Sequence, residues 1–160
     1  MESLTPAHVQ KALASAGLKI EVIFMDNPTA TAPEAAAAVN AELGSIVKSL
    51  LFMVNGDPVL VLTAGDQKAD DKKLAALYGV NRKKVKIATP EECVAIAGYA
   101  PGGVPPLGHR QNGLKILIDE TLGRHETVWA AAGASNTLFP IPFEQLVNIT
   151  GGQVMPVVKE

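Results

Sequence analysis

The chain has 160 residues, a formal net charge of −2 and one cysteine, Cys93. This length fits a single domain, spanning 1–160, that can bury a core without metals, and one cysteine excludes an internal disulfide. The charge argues against a protein that coats nucleic acid non-specifically, and no apolar run approaches the ~20 residues of a membrane-spanning helix, so we expect neither DNA nor a membrane as a partner.

The first half of the chain alternates helical and extended patterns. Its polar, capped start from Glu2 to Pro6 lacks the basic and apolar order of a secretion signal, so we expect a cytoplasmic protein. Thr31-Ala32-Pro33-Glu34 has the spacing of a capping box, and Asn55-Gly56 favours the positive φ angles of a hairpin turn. The predicted elements are helices over 6–17 and 32–44 and strands over 20–24, 46–54 and 58–63.

The second half continues this alternation. Gly79 and Gly98 each follow a helical pattern and are typical helix stops. Because a hairpin and short connections do not suit a purely parallel sheet, the fold class predicted is α/β (mixed α+β), one domain with a mixed, largely antiparallel, curved sheet surrounded by short helices. The predicted elements are helices over 70–78, 89–98 and 143–148 and strands over 85–87, 114–119, 127–132 and 137–141.

The common hydrolytic signatures are missing. The histidines His8, His109 and His125 are dispersed, with no pair at helical spacing, and there is no Gly-x-Ser-x-Gly elbow and no phosphate-binding loop that ends in Lys-Ser or Lys-Thr. A zinc site and a Ser-His-Asp triad are therefore unfavoured, and we expect no metal and no cofactor.

Lys48 lies in a predicted strand that has no polar face. Ile46, Leu50 and Phe52 would share its side of the strand, so the lysine is directed at apolar surroundings and needs an anion or a water-filled pocket. Two structural alternatives stay open. Lys48 could protect an edge strand from aggregation, or its stem could pack while the ammonium reaches water.

The segment from Tyr99 to His109 contains three prolines and three glycines. Its prolines stiffen the loop, while Gly102 and Gly103 allow close approach of a substrate and leave N–H groups free to face a carbonyl oxygen. A structural connector between helix and strand is the alternative.

Half of the lysines and arginines fall between positions 68 and 86, against only Asp70 and Asp71 there. Such a patch could contact a short stretch of phosphates, although a solvated face is the common explanation. The residues of this basic run are Lys68, Lys72, Lys73, Arg82, Lys83, Lys84 and Lys86.

Three motifs in this order resemble the YbaK/ProX family and the editing domain inserted in bacterial prolyl-tRNA synthetases. They are Thr29-Ala30-Thr31-Ala32 before an Ala-rich helix, Ile46-Val47-Lys48-Ser49-Leu50-Leu51-Phe52 on a strand, and Gly102-Gly103-Val104-Pro105-Pro106-Leu107-Gly108. The likeness extends over nearly the whole chain, including Trp129 to Gly133.

This resemblance implies a free-standing deacylase that hydrolyses the ester between a small mischarged amino acid (Ala, Cys, Ser or Thr) and a tRNA, tRNA(Pro) or a related one. Lys48 corresponds to the family's lysine, and the backbone of Gly102 and Gly103 to the loop that binds the aminoacyl carbonyl. The implied substrate-binding residues are Thr31, Ala32, Ala35, Val39, Ser49, Pro105, Pro106 and Ser135. The expected tRNA-binding residues are Lys68, Lys72, Lys73, Arg82, Lys83 and Lys84.

The expected partners are the acceptor end of an aminoacyl-tRNA and, as a further candidate, an aminoacyl-tRNA synthetase. One alternative is an inactive module of the same fold that only binds a tRNA or a synthetase. Another is a thiol enzyme that uses Cys93, but no histidine is close to it in sequence, and a buried structural cysteine is favoured.

Overall fold

Eight strands form one open sheet in the computed structural model, which describes residues 1–160. The strand order is β1-β7-β6-β2-β3-β5-β8, with β4 paired to the far half of β2. Four of the strand pairs are antiparallel and three are parallel. The strands are β1 (Ile23–Phe24), β2 (Ile46–Val54), β3 (Asp57–Ala64), β4 (Val85–Ile87), β5 (Lys115–Asp119), β6 (Thr127–Ala131), β7 (Thr137–Pro142) and β8 (Gln153–Met155).

Five short helices cover the sheet. They are α1 (Pro6–Ser15), α2 (Ala32–Val39), α3 (Asp71–Tyr78), α4 (Pro90–Glu92) and α5 (Phe143–Thr150). None of them is long and apolar enough to cross a membrane. The mixed α/β fold with an open mixed sheet and short helices is thus confirmed.

The two faces of the sheet carry separate cores. Val9 of α1 and Leu146 of α5 belong to the larger cluster, which includes Val47 and Leu51 of β2. The opposite face packs against α2 and α3 in two smaller clusters. Residues of β2 alternate between these faces, so Lys48 lies on the side of α2 and α3.

The predicted hairpin is confirmed, and it forms the centre of the sheet. Asn55 and Gly56 both have positive φ, as a tight turn between β2 and β3 requires. On its other side β2 pairs with β6 only at Ile46 and Val47 and with β4 only from Phe52 onward, so residues 48–51 have a paired strand on one side only. The edge-strand explanation considered for Lys48 therefore stays open.

Some predicted boundaries are wrong. The helix that was expected to reach Gly44 ends at Val39 and is capped by Asn40, which has a φ of 51° and donates its backbone N–H to the carbonyl oxygens of Ala36 and Ala37. The strand expected over 20–24 is paired only at its last two residues. The helix expected over 89–98 continues beyond Glu92 as a π-helical turn over 93–97.

Candidate active site

A cavity of about 360 Å³ lies where the start of β2, the N-terminal end of α2 and the Gly/Pro loop meet. Lys48 and Gly102 both line it, although the whole segment from β3 to α4 separates them in sequence. Six of the predicted site residues line this cavity: Thr31, Ala32, Ala35, Lys48, Ser49 and Gly102.

The Lys48 ammonium is half-buried and held at one point. Its Nζ donates a hydrogen bond to the Gln67 carbonyl oxygen at 2.5 Å. An ammonium has three N–H donors, so two remain for a ligand. Burial lowers the pKa of Lys48, and the nearby Lys68 lowers it further. The carboxylates of Asp119 and Asp66 oppose this fall in pKa.

The Gly/Pro loop brings the backbone of Gly102 to the cavity wall. Gly102 has a φ of +88°, and a Cβ there would lie 3.0 Å from the Cβ of Ala30, so both the backbone angle and the space favour glycine. Its N–H makes no hydrogen bond within the chain. Gly103, in contrast, donates its N–H to the Ala100 carbonyl at 3.1 Å. The prediction of a free amide at Gly103 is therefore wrong.

The buried Tyr99 and the half-buried His109 fix the shape of this loop. The Tyr99 hydroxyl donates to the Gly108 carbonyl oxygen at 2.7 Å, and burial raises the pKa of Tyr99 to about 12. His109 places Nε2 2.7 Å from the Pro105 carbonyl oxygen, and burial lowers its pKa. The loop is thus closed across its base by Tyr99 and braced internally by His109.

The wall that α2 supplies is apolar. The Thr31 hydroxyl is used by the helix cap, because it donates to Glu34 Oε1 at 2.9 Å and accepts the Glu34 N–H at 3.3 Å. Ala32 and Ala35 are buried and pack in one cluster with Ile46 and Leu138. The Ser49 hydroxyl is buried and has no partner within the chain.

Five predicted site residues do not line the cavity: Val39, Gly103, Pro105, Pro106 and Ser135. Val39 packs against the alanine cluster of α2. Pro106 lines a second cavity of about 270 Å³ on the far side of the loop, beside His109. Ser135 acts through its carbonyl oxygen, which accepts the N–H of the cavity residue Thr29 at 2.6 Å.

The predicted tRNA-binding residues differ in what their charges contact. Lys73 lies 3.6 Å from Glu160 and donates to the Val158 carbonyl, and Arg82 lies 3.0 Å from Asp71. Lys68, Lys72, Lys83 and Lys84 are exposed and have no acidic partner within the chain. Lys68 is close enough to Lys48 to lower its pKa.

Cys93 lies in the larger core and not in the cavity. Burial raises the pKa of its thiol, and the adjacent Glu92 raises it further. A nucleophilic thiol needs the opposite shift. No group of three or more His, Cys, Asp or Glu side chains is arranged to hold a metal ion.

Sequence reasoning missed Gln67 and Thr29. Gln67 contributes only its backbone carbonyl to Lys48, and a backbone contact leaves no side-chain signal in a sequence. Thr29 stood inside a quoted motif, but its burial at the cavity depends on the pairing of its N–H with Ser135, which only the fold reveals.

The profile of a family described as the aminoacyl-tRNA editing domain matches residues 26–149, a range that includes every residue of the cavity wall. YwhH of Bacillus subtilis is 31% identical over 84% of this chain and 83% of its own length. A protein of Enterococcus faecalis, named as a candidate Cys-tRNA(Pro)/Cys-tRNA(Cys) deacylase, EbsC, is 29% identical over 77% of this chain and 74% of its own length.

Similarity also extends to a segment of a larger enzyme and to a solved structure. The proline–tRNA ligase of Staphylococcus epidermidis is 30% identical over 73% of this chain, which corresponds to 19% of the ligase. A crystal structure described as a candidate trans-editing enzyme for prolyl-tRNA synthetase superposes with a TM-score of 0.90 at 39% identity. That match covers 100% of this chain and 99% of the other.

Proposed function

The chain belongs to the aminoacyl-tRNA editing-domain family and is an aminoacyl-tRNA deacylase, and from this premise we propose that its substrate is tRNA(Pro), or a related tRNA, carrying a small, wrongly attached amino acid. The candidate amino acids are Ala, Cys, Ser and Thr. Water adds to the ester carbonyl carbon, and the bond between that carbon and the ribose oxygen breaks. The ribose oxygen takes up a proton, and the free amino acid and the tRNA leave.

The observation that carries this proposal is the shared cavity of Lys48 and Gly102. Negative charge develops on the ester carbonyl oxygen in the transition state, and N–H groups that are already in place stabilise it. Gly102 supplies an amide with no partner in the chain, and Lys48 supplies two N–H donors and a positive charge. We infer that the amide binds the carbonyl oxygen while the ammonium holds the tRNA terminus or the aminoacyl group.

The attacking water needs a general base that the cavity wall does not contain. Lys48 is the only titratable side chain that lines the cavity. The ribose hydroxyl next to the ester is therefore the group we assign to orienting the water, as the family resemblance also implies. This assignment makes the substrate part of its own catalytic machinery.

The polarity of the wall ranks the candidate amino acids. A substrate hydroxyl that enters an apolar pocket loses its hydrogen bonds to water unless the wall replaces them. The Thr31 hydroxyl is already engaged by Glu34, and Ser49 projects, like Val47 and Leu51, to the face of β2 opposite Lys48, so neither hydroxyl replaces those bonds. We therefore expect Ala and Cys esters to be cleaved faster than Ser and Thr esters.

A deacylation panel tests this function. Ala-, Cys-, Ser- and Thr-tRNA(Pro) are incubated with the protein, with correctly charged Pro-tRNA(Pro) as the control and the same amino acids on a second tRNA. We expect hydrolysis of the small mischarged substrates and sparing of Pro-tRNA(Pro). Failure to hydrolyse any of them, with tRNA binding retained, would instead support the inactive binding module.

The variant Lys48→Ala tests the assigned site. We expect deacylation to fall by at least about a hundredfold, because the cation and its two free donors are lost together. Circular dichroism should show a fold and a melting temperature close to those of the unmodified chain, since removal of a half-desolvated charge does not weaken packing. Loss of the fold would assign Lys48 a structural role instead.

A further inference from the structure

Three polar side chains lie side by side on the face of the sheet that carries Lys48. Lys48 of β2 pairs with Thr63 of β3. One position beyond the pair Leu62 and Ile118, the parallel strands place Thr63 next to Asp119, the last residue of β5. Thr63 and Asp119 are fully buried, and the Thr63 hydroxyl has no partner. An ammonium, a hydroxyl and a carboxylate thus cross three central strands.

Asp119 binds only neutral partners directly. Its Oδ2 accepts the N–H of Ala64 at 2.9 Å and the hydroxyl of Thr121 at 2.8 Å, and its Oδ1 accepts the N–H of Thr121 at 2.8 Å. A buried carboxylate without a bound cation is costly to keep charged. The cations whose pKa its charge raises are Lys48 and Arg124.

Hydrogen bonds connect Asp119 to the ammonium of Lys48 through the turn 64–67. Asp119 accepts the N–H of Ala64, and the Ala64 carbonyl oxygen accepts the N–H of Gln67 at 3.0 Å. The Gln67 carbonyl oxygen in turn accepts a hydrogen bond from Lys48 Nζ at 2.5 Å. The contact to Lys48 therefore depends on the shape of a four-residue turn whose first residue, Ala64, is bound by Asp119.

A second set of hydrogen bonds, made by Arg124, holds the same turn at its exposed residue Asp66. Arg124 donates through Nη2 to Asp66 Oδ1 at 2.8 Å and through Nε to the carbonyl of Thr121 at 2.6 Å. Thr121 is itself bound by Asp119. The turn is thus fixed at Ala64 and at Asp66.

We propose that Asp119 is a positioning residue for Lys48, which fixes the turn 64–67 so that the Gln67 carbonyl holds the ammonium at the cavity wall. The buried carboxylate also offsets the loss of water around that ammonium, as does Asp66, whereas Lys68 acts against them. The catalytic consequence rests on the proposed function, but the effect on Lys48 itself does not.

Competitive acetylation of the free protein, read by mass spectrometry of the Lys48 peptide across a pH series, measures the titration of Lys48 without any tRNA. Since the Asp119 charge raises the pKa of Lys48, Asp119→Asn should lower it, and Lys48 should become reactive at a lower pH. Lys68→Gln should move it in the opposite direction. The control Asp57→Asn removes an exposed carboxylate at the hairpin turn, at the far end of β2 from Lys48, and should leave Lys48 unchanged.

Deacylation provides the second readout. We expect Asp119→Asn to lower kcat by about 10- to 100-fold, since small displacements of a catalytic group have effects of this size. After subtraction of spontaneous ester hydrolysis, the alkaline limb of its pH–rate profile should move to lower pH. A residue that merely stabilises the fold would change neither that limb nor the labelling of Lys48.

The outcomes separate the two proposals. Normal Lys48 labelling and kcat in a folded Asp119→Asn protein would overturn the positioning role. If Asp119→Asn does not fold, Thr121→Val decides, because it removes a hydroxyl that binds Asp119 Oδ2 and removes no charge: unchanged Lys48 labelling and kcat overturn the role, and a change in either supports it. Absence of deacylation by the unmodified chain would overturn the proposed function alone, because labelling still measures the effect of Asp119 on Lys48.

Discussion

At the scale of single residues, the sequence predicted Lys48 and Gly102 as site residues, and the fold brings both of them to one cavity. Lys48 stood out because neither face of its strand is polar, and Gly102 because it lies in a loop that is both stiff and glycine-rich. The contacts of these residues could not be predicted. Gln67 reaches Lys48 through its backbone, and the positive φ of Gly102 brings it against Ala30, far away in sequence.

The variant Gly102→Ala tests the role of the loop backbone, with Gly56→Ala as its matched control. Both glycines have a positive φ near 90°, so each alanine should cost about 1 to 2 kcal/mol of unfolding free energy in a denaturant titration. Only the alanine at 102 meets a close neighbour, since a Cβ at 56 has nothing within 4 Å. We expect deacylation to fall by at least about tenfold for Gly102→Ala alone. Equal activities of the two variants would contradict an assignment of the Gly102 amide to the ester.

At the scale of elements, the sequence was sufficient to predict a turn or a helix cap where a single pair of residues determines the local backbone geometry. Asn55-Gly56 predicted the hairpin, and the threonine and glutamate of Thr31 to Glu34 form the predicted capping box. Elements that depend on packing were not predictable. β8 has three residues and exists because Gln153–Met155 pair with β5, and the π-helical turn over 93–97 interrupts an otherwise regular helical pattern.

The closure of the Gly/Pro loop gives a prediction at this scale. Tyr99→Phe removes the hydroxyl bonded to the Gly108 carbonyl and leaves that acceptor without its partner, so we expect a loss of about 1 to 3 kcal/mol in thermal or urea unfolding. Deacylation should also fall, because a loosened loop no longer fixes Gly102. Tyr78→Phe is the control, since that tyrosine lies on α3 and has no hydrogen-bonded hydroxyl. A stable Tyr99→Phe protein with full activity would mean that the loop keeps its shape without this bond.

At the scale of the whole molecule, the count of charges predicted a basic run but not which charges are free. The fold pairs Arg82 with Asp71 and brings the chain end to Lys73, so these two are poor candidates for phosphate contacts. Lys68 is the member of the run whose charge reaches Lys48, and it marks the end of the patch nearest the cavity. We therefore propose that a tRNA whose terminus enters the cavity contacts Lys68 first and then the exposed Lys72.

The double variant Lys68→Ala/Lys72→Ala tests this order of contacts against Lys11→Ala/Lys19→Ala, which removes the same charge from exposed positions on and after α1. When a phosphate contact is lost, fewer counterions are released on binding. The slope of log Kd against log salt should therefore fall by about one per contact for the first variant. The second variant should keep both the slope and the Kd of the unmodified chain, because Lys11 and Lys19 lie outside the expected path of the tRNA and make no phosphate contact there. Equal weakening by both variants would mean that tRNA binding follows net charge, and the expected path of the tRNA from the cavity past α3 would have to be abandoned.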